Sequence, residues 1–487
     1  MRISFLILSL ILFVTKIEVS AQQMYFSKAQ EFRSGKDFFE IGGWVENQLM
    51  IFYTSKGKSY MDLYDSAMNR KAIVTLNFIP ESAKKVELLH SKNGVKLLYS
   101  VQLNSKESFF IASLDKDAKL IGRPKNIENV KQNYFGNTKL SYSTLHSFNN
   151  KSFGVFGYRI KDNNFEYELL VLNDSLDYIV STQNKVPVKN YLDISQMILK
   201  DDGRLVCLLT DVSSNKNNEV AEAMIYEISP TTKKNVETKA FPIDFGDVFV
   251  ENLFLKEDFE QGNKVHFAGL NKNKKGVING VFIGVVALSA PSNEKIMGTL
   301  TPFADSIIQM ISSFNLNNTI VKDVIVKNDG GLLILTESMA KLSRSSYSNS
   351  NNFGWGYYGG ISSSNRYTEY LYKDAILFDL DSQRNLNWIS VVDKLQRTLD
   401  DNGIYSSFGL LNSGSFLSFV FNEFQNKGIK VKNTIVLGDG RQEERTINSQ
   451  AKIDGKWLPR FGEQTGLYEL MIPIVGSKKL QFVKLNY

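Results

Sequence analysis

Residues 323 to 336 read Asp-Val-Ile-Val-Lys-Asn-Asp-Gly-Gly-Leu-Leu-Ile-Leu-Thr, so two apolar runs flank the small polar pair Asp329-Gly330. The runs are rich in Val, Ile and Leu, and each has the length of a β-strand. An Asp-Gly pair between such runs supplies the positive φ angles of a tight turn. The segment therefore predicts a β-hairpin whose tip is Asp329-Gly330.

The same pattern occurs eight times along the 487-residue chain, mostly at intervals of roughly 50 to 60 residues. The predicted tips are Glu46-Asn47, Asn93-Gly94, Asn149-Asn150, Asp202-Gly203, Gly262-Asn263, Asp329-Gly330, Ser413-Gly414 and Thr465-Gly466. Repeats of about this length built from strands are typical of a β-propeller. The first repeat is the weakest, because its tip lacks glycine.

A second hairpin follows in most repeats, and it again consists of an apolar strand, a polar turn and a shorter strand. Its first strand is clear at Phe109–Asp115, Leu169–Asp174, Ala223–Ser229, Ala375–Asp381 and Asn433–Asp439. Two successive hairpins make a four-stranded blade. The sequence therefore predicts an all-β propeller, with eight blades favoured and seven as the alternative if the first repeat is an elaboration.

The two ends of the chain complement each other. The last repeat stops after its third strand, Leu480–Tyr487, and the stretch Met24–Phe32 has the composition of a strand. Pairing of these two segments would close the ring and remove exposed strand edges. We therefore expect residues 24 to 32 to complete the last blade.

One segment has a helical rather than a β pattern. Thr301 is an N-cap type of residue, Pro302 suits the first helical position, and apolar residues follow at helical spacing up to Ile311. We expect a helix here that crosses between two blades.

The amino terminus has the pattern of a cleavable export signal. Residues 1–21 contain a basic start at Arg2, a short apolar core and the ending Val19-Ser20-Ala21. The apolar core is too short to span a membrane, and no later stretch is long enough. We expect residues 22–487 to form a single propeller domain in the periplasm, at the outer membrane or outside the cell.

Charge and cysteine content narrow the functional classes. The formal net charge of +6 is small for this length, and its charges are interspersed, which argues against nucleic-acid binding. Cys207 is the single cysteine and lies in the apolar run Leu205–Leu209, so we expect a buried thiol and no intramolecular disulfide.

Motifs for catalysis, metals or cofactors are weak. His90, His146 and His266 lie in or beside strands of different repeats, and a structural or surface role is favoured for them. The pairs Asp115/Asp117 and Asp379/Asp381 resemble the start of a calcium loop but lack its later glycine and glutamate, so we interpret them as turn residues. No cofactor, metal or catalytic residue is predicted.

The longest interval between tips contains an insertion, residues 343–370, that is rich in Ser, Asn, Gly and Tyr. Its aromatic residues are the predicted binding residues: Tyr347, Phe353, Trp355, Tyr357, Tyr358, Tyr367 and Tyr370. Aromatic anchors among small polar residues are typical of binding loops. The alternative is a bland hairpin extension with rings packed on a neighbouring blade.

Three stretches around this insertion resemble a group of exported propeller-like proteins of Bacteroidetes-type bacteria. They are Val326–Glu337, Tyr370–Asp381 and Ile404–Phe408. The resemblance covers about 80 residues, and the group has no assigned activity. It implies a location in the envelope of a Gram-negative bacterium or outside the cell, and no functional residue.

Two functions remain open at this point. The first is a non-enzymatic binding or scaffolding propeller that engages a protein partner or an outer-membrane assembly. The alternative is a carbohydrate-active hydrolase or lyase, which needs carboxylates or a Tyr/His base at the central channel. Carboxylates and histidine in the channel would favour the enzyme, and an apolar or plugged channel the scaffold.

Overall fold

The computed structural model describes residues 23–487 except for 92–93, 104–105, 128–139, 190–191, 212–218, 274, 314–317, 347–364, 426–427 and 448–454. These residues form eight sheets, each built around four antiparallel strands in the order of a meander, and the short β23 (Ile296–Met297) adds a parallel pair to one of them. The sheets are the blades of a β-propeller, and the blade count is the eight that the sequence favoured.

Blades 1 to 4 follow one another along the chain. Their strands are β3 (Phe39–Val45), β4 (Gln48–Ser55), β5 (Lys58–Tyr64) and β6 (Arg70–Thr75) in blade 1; β7 (Ala83–Ser91), β8 (Gly94–Leu103), β9 (Lys106–Leu114) and β10 (Leu120–Asn126) in blade 2; β11 (Ser141–His146), β12 (Ser152–Lys161), β13 (Asn164–Asn173) and β14 (Tyr178–Pro187) in blade 3; and β15 (Leu192–Leu199), β16 (Leu205–Asp211), β18 (Ala223–Pro230), β19 (Val236–Asp244) and the short β23 (Ile296–Met297) in blade 4.

Blades 5 to 8 include several additions. Their strands are β17 (Glu219–Val220), β20 (Val250–Glu257), β21 (Lys264–Lys272), β22 (Ile278–Ala287) and β24 (Thr299–Pro302) in blade 5; β25 (Thr319–Val326), β26 (Leu332–Ser346), β27 (Asn365–Leu380), β28 (Leu386–Val392) and β29 (Gln396–Leu399) in blade 6; β30 (Phe408–Asn412), β31 (Phe416–Gln425), β32 (Gly428–Leu437) and β33 (Gln442–Thr446) in blade 7; and β34 (Lys456–Trp457), β35 (Glu463–Gly466), β36 (Glu469–Gly476) and β37 (Lys479–Asn486) in blade 8, with β1 (Gln23–Phe26) and β2 (Gln30–Glu31).

The first strands of the blades form the inner ring. Strand β3 contacts β7 on one side and β35 on the other. Contacts also join β11 to β15, β15 to β20 and β20 to β25, and β30 contacts β35. We call the side where these first strands begin the mouth face. The opposite side, where they turn into the second strands, is the tip face.

Most predicted tips lie in the tip-face turns, with two small shifts. Gly94 is already the first residue of β8, since it pairs with Ser91. Gly466 still belongs to β35 and pairs with Glu469, so the last tip is Leu467-Tyr468. The weakest predicted repeat, around Asn47, forms a regular blade.

The second hairpins turn on the tip face through a recurring polar device. Asp115 accepts the backbone N–H groups of Asp117 (2.9 Å) and Lys119 (2.8 Å). Asp381 does the same for Gln383 and Asn385, both at 2.8 Å. These aspartates fix the local turn, as Asx residues do.

The predicted closure is confirmed, because β1 and β2 both pair antiparallel with β37. Met24 lies opposite Leu485, and Gln30 lies opposite Leu480. Between these pairs the Ser27 hydroxyl accepts a hydrogen bond from the backbone N–H of Phe482 (2.9 Å). The backbone N–H of Ser27 donates to the Phe482 carbonyl (2.9 Å). The amino-terminal strand is thereby the outermost strand of blade 8.

The core lies between neighbouring blades. One cluster joins blades 3 and 4 and contains Phe156, Tyr167, Leu205 and Cys207. Cys207 is fully buried as expected, and burial raises the pKa of its thiol.

The predicted helix is shorter than expected. Thr301 and Pro302 belong to β24, where Thr301 pairs with Val281 and its hydroxyl donates to the Arg384 carbonyl (2.7 Å). Thr301 and Pro302 therefore complete the sheet of blade 5 and do not cap the helix. The helix α1 covers Asp305–Ser313, between blades 5 and 6. In the described part of the chain no helix has the length and apolarity to cross a membrane.

Blade 6 extends beyond the ring on the mouth face. Strands β26 and β27 remain paired from Met339↔Tyr372 out to Ser346↔Asn365, and β29 pairs with β27 along this extension. We call this three-stranded sheet, residues 339–346, 365–372 and 396–399, the stem. It carries both ends of the 343–370 insertion.

Candidate functional site

A cavity of about 320 Å³ opens between the inner parts of blades 7, 8 and 1. Three segments that precede or begin first strands line it: residues 32–41, 404–405 and 458–463, together with Val475. The first strand of blade 8 is interrupted here, because the 3₁₀ turn Pro459–Phe461 separates β34 from β35. This interruption leaves room beside the inner ring.

Aromatic rings form one wall of the cavity. The Phe39 ring lies edge-on to Phe461 (6.4 Å between centroids) and to Phe482 (5.6 Å), and Phe32 adjoins it at 6.0 Å. Phe461 is 42% exposed, whereas Phe32 and Phe482 belong to the buried core. The wall is therefore anchored in the core and presents a free ring at its edge.

Two glutamates line the same cavity. Glu40 lies on β3 and Glu463 on β35, the inner strands of adjacent blades. Gly42 contributes to this arrangement, since a Cβ at that position would lie 2.6 Å from Leu88 Cδ1 of blade 2. The close approach brings β7, with Glu87, next to β3.

The environment of Glu40 opposes its charge. Burial raises its pKa to about 7, and the carboxylates of Glu463 and Glu87 add to this effect. The pKa of Glu463 is also raised by burial, and the imidazole of His146 opposes that shift. Glu463 is exposed to solvent, so water moderates the effect of burial on its carboxylate. Four inner strands thus bring acidic groups and one histidine to the channel.

The other charged residues of the cavity are already engaged. Asp37 accepts the backbone N–H of Arg33 (2.7 Å) and forms an ion pair with its guanidinium (3.1 Å), which fixes the turn before β3. Arg460 donates to the Gly403 carbonyl (3.2 Å). Among the described residues neither Glu40 nor Glu463 has an ion-pair or side-chain hydrogen-bond partner. The Gly403 carbonyl is neutral, so Arg460 keeps its positive charge, and the two carboxylates outweigh that charge only while both are ionised.

The stem stands beside this cavity. The Tyr370 hydroxyl donates to Asn402 Oδ1 (2.9 Å), and the Thr368 N–H donates to Asp400 Oδ1 (2.7 Å). These bonds hold the stem to the loop Asp400–Ser407, whose Ile404 and Tyr405 line the cavity. The loop contains three non-glycine residues with positive φ, Asp400, Asn402 and Ser407, and such conformations cluster at functional sites.

A buried ion pair fixes the base of the stem. Lys394 Nζ lies 2.6 Å from Glu337 Oε1, and the two side chains are 1% and 0% exposed. The Ser407 hydroxyl donates to the other Glu337 oxygen (2.8 Å). Stem, loop and blade 7 are thereby connected through one carboxylate.

The predicted binding residues divide into two groups. Tyr370 is half-buried, and its hydroxyl hydrogen-bonds to the loop Asp400–Ser407. The centre of its ring lies 5.7 Å from Lys341 Nζ. Tyr367 is in β27 opposite Arg344. Tyr347, Phe353, Trp355, Tyr357 and Tyr358 lie outside the described residues.

Glu40 and Glu463 were not predicted from the sequence, because a single glutamate within a strand usually indicates a solvent-facing side.

The three histidines lie in different parts of the propeller. His146 lies near Glu463, and His266 is buried against Asp258 (3.2 Å between Nε2 and Oδ2). His90 is in β7. Within the described chain no three His, Cys, Asp or Glu residues are grouped so as to hold a metal ion.

No protein-family model matches the chain, and no characterised protein matches it significantly by sequence. Among solved structures, the Dos1 propeller is similar over 94% of both chains, at 8% identity and a TM-score of 0.36. Prolyl oligopeptidase B from Galerina marginata matches 91% of this chain at 9% identity and a TM-score of 0.40. An acylaminoacyl peptidase from Pyrococcus horikoshii matches 83% at 11% identity and a TM-score of 0.32.

The chain spans 56% and 59% of the lengths of these two peptidases. Similarities of this strength carry no information about activity.

Because the site of Glu40 disfavours its charged form, replacing this glutamate by a neutral residue should stabilise the fold. A carboxyl whose pKa is raised on folding destabilises the fold when it is charged, and the penalty fades as pH falls toward its unfolded pKa. Glu40→Gln should therefore increase the free energy of unfolding by roughly 1–3 kcal/mol at pH 8 and by much less at pH 5. Denaturant titrations at both pH values measure this difference.

The matched control is Glu46→Gln, an exposed tip-face glutamate paired with Lys116 (3.2 Å). It should change stability by no more than about 0.5 kcal/mol at either pH. A Glu40→Gln protein that is equally stable or less stable at pH 8 would contradict the electrostatic description of the cavity.

Proposed function

We propose that this protein is an exported, non-enzymatic binding propeller that holds a protein partner of the cell envelope on its mouth face. The observation that carries the proposal is the aromatic-walled cavity directly beside the stem. A free ring in a concave, anchored wall is the arrangement that binding hot spots use. The stem carries the two ends of the predicted aromatic insertion away from the propeller at the same place.

The surface around the cavity supports a protein partner. Leu342 of β26 and Leu399 of β29 flank Glu369 on one face of the stem and are 37% and 54% exposed. Together with Phe461 they give the mouth face apolar side chains at several points. Exposed apolar side chains mark an interaction surface where they form a contiguous patch, and Leu342 and Leu399 are neighbours across Glu369.

Export is part of the proposal and rests on the sequence of residues 1–21, which lie outside the described part. The resemblance to exported propellers of Bacteroidetes-type bacteria supports a Gram-negative envelope. We expect the mature chain to begin at Gln22 and to be recovered from periplasmic, outer-membrane or extracellular fractions. Mass spectrometry of the native protein measures its terminus, and an intact Met1 or a cytoplasmic location would refute this part.

Partner capture tests the mouth face. Phe461→Ala should weaken retention of the partner by about 2 kcal/mol, or roughly 30-fold, if the ring is a hot spot. Trp355→Ala with Tyr358→Ala should weaken it at least as much. The measurement is quantitative mass spectrometry of proteins retained from envelope extracts by immobilised wild type and variants.

Phe148→Ala is the control, because Phe148 is 64% exposed but lies on the tip face, stacked on Phe259 at 3.9 Å. It should retain the partner like the wild type. Loss of the partner with Phe148→Ala and not with Phe461→Ala would move the binding surface to the tip face and refute the proposal.

A carbohydrate-active hydrolase or lyase is the second candidate, and the acidic groups and the histidine that the inner strands bring to the channel are the observation that favours it. A carboxyl with a pKa of about 7 beside other carboxylates suits a general acid. Catalytic carboxyls, however, are held in position by supporting hydrogen bonds, and none reaches Glu40 or Glu463 from a described side chain. Release of reducing sugar or unsaturated product from a polysaccharide panel, lost in Glu40→Gln, would establish the enzyme. Equal, background release by both proteins would exclude this role for Glu40.

A further inference from the structure

We infer that the mouth-face cavity receives a positively charged side chain, lysine or arginine, from the protein partner. This inference rests on the proposed function and specifies the chemistry that the cavity recognises. It follows from the shape of the cavity, its apolar wall and the two unpaired carboxylates of Glu40 and Glu463.

The volume suits a side chain better than a large ligand. At about 320 Å³ the cavity is near the lower end of the range of small-molecule sites. Its wall contains Phe39, Ile41, Tyr405, Leu458 and Phe461. Lysine and arginine place their methylene groups along apolar walls while the charged end reaches polar groups, which matches a cavity with apolar sides and acidic residues.

The charge balance favours a cation over other occupants. Asp37 is neutralised by Arg33, and Arg460 is bound to Gly403 and also interacts with Tyr372. Glu40 and Glu463 remain, and Glu87 on β7 adds negative charge to the same region. When they are ionised, these three carboxylates outnumber the Arg460 guanidinium, which favours a cation over an anion. A neutral group would leave the partly buried Glu40 carboxylate without a partner, which is costly.

An aromatic ring stands at the exposed edge of the cavity wall. This ring, Phe461, already lies 5.7 Å from the Arg460 guanidinium carbon, so its cation–π contact is used within the protein. The cavity therefore offers an incoming ammonium or guanidinium group its carboxylates as ionic partners and the Phe461 ring as an apolar contact for the methylene groups.

Protons and the cation compete for Glu40. The groups facing this carboxyl are Glu463 and Glu87, with His146 next to Glu463. Glu40 is mostly charged above pH 7 and mostly neutral below it, so binding of a cation should weaken as pH falls. Between pH 8 and pH 6 the change attributable to Glu40 should be about tenfold.

Four synthetic peptides test the inference by fluorescence anisotropy. They have the sequence Gly-Leu-X-Leu-Gly, with blocked ends and a fluorophore, and X is lysine, arginine, norleucine or glutamate. Wild type at pH 8 should bind the lysine and arginine peptides at least tenfold more tightly than the norleucine peptide. The glutamate peptide should bind most weakly.

Glu40→Gln combined with Glu463→Gln should remove the preference for lysine over norleucine and leave norleucine binding unchanged. Glu40→Gln alone should reduce the loss of lysine-peptide affinity between pH 8 and pH 6. Glu46→Gln, on the tip face, should behave like the wild type. Circular dichroism melts confirm that each variant is folded.

Equal binding of the lysine and norleucine peptides would overturn the inference, as would unchanged lysine binding in the double variant or no binding of any peptide at millimolar concentration. Calcium binding by wild type that is lost in the double variant, without peptide discrimination, would also overturn it. None of these results would refute the proposed function, which the partner-capture experiment with Phe461→Ala tests separately. Peptide discrimination with normal partner capture by Phe461→Ala would refute the proposed function and not the cation site.

Discussion

The antiparallel pairing of the amino-terminal strand with β37 is the constraint on which the rest of the structure depends. Blades 1 to 7 are each continuous in sequence apart from the short strands β17 and β23, which blades 4 and 5 exchange, but blade 8 takes its outer strand from residues 23–31. The entropy of joining chain ends grows only with the logarithm of their separation, so closure across the whole domain costs little more than closure across part of it. The ring then holds eight inner strands around one channel.

The closing strand also determines where the site lies. After β2 the chain turns at Arg33–Asp37 and enters β3, so the segment that completes blade 8 leads directly into the wall of the cavity. Arg70 of blade 1 reinforces this junction, since its guanidinium donates to Gln30 Oε1 (3.1 Å) and forms an ion pair with the buried Asp62 (3.0 Å). Burial still raises the pKa of Asp62 to about 6. These polar contacts lie beside the apolar cluster that joins blades 8 and 1 and that includes Phe32 of the cavity wall.

The sequence predicted what depends on local chemistry. Turn pairs such as Asp202-Gly203 and Asp329-Gly330 specify hairpins by themselves, and the unfinished last repeat implied its partner strand. Thr301 and Pro302 were assigned wrongly, because pairing with β22 is a tertiary contact that no local pattern displays. Glu40 and Glu463 were missed for the same reason: they are far apart in sequence and meet only because blades 1 and 8 are neighbours in the ring.

The stem, which carries the two ends of the insertion, and the cavity belong to one mouth-face surface. The connection runs from Glu337, buried with Lys394 at the base of the stem, through Ser407 to the loop that carries Ile404 and Tyr405. A fully buried ion pair stabilises a fold less than an apolar replacement often would, yet breaking one partner is costly. Here the pair also connects two blades, because Ser407, which donates to Glu337, directly precedes β30 of blade 7. A partner that contacts both stem and cavity would therefore meet a surface whose two parts are already aligned, and little binding energy would be lost in ordering them.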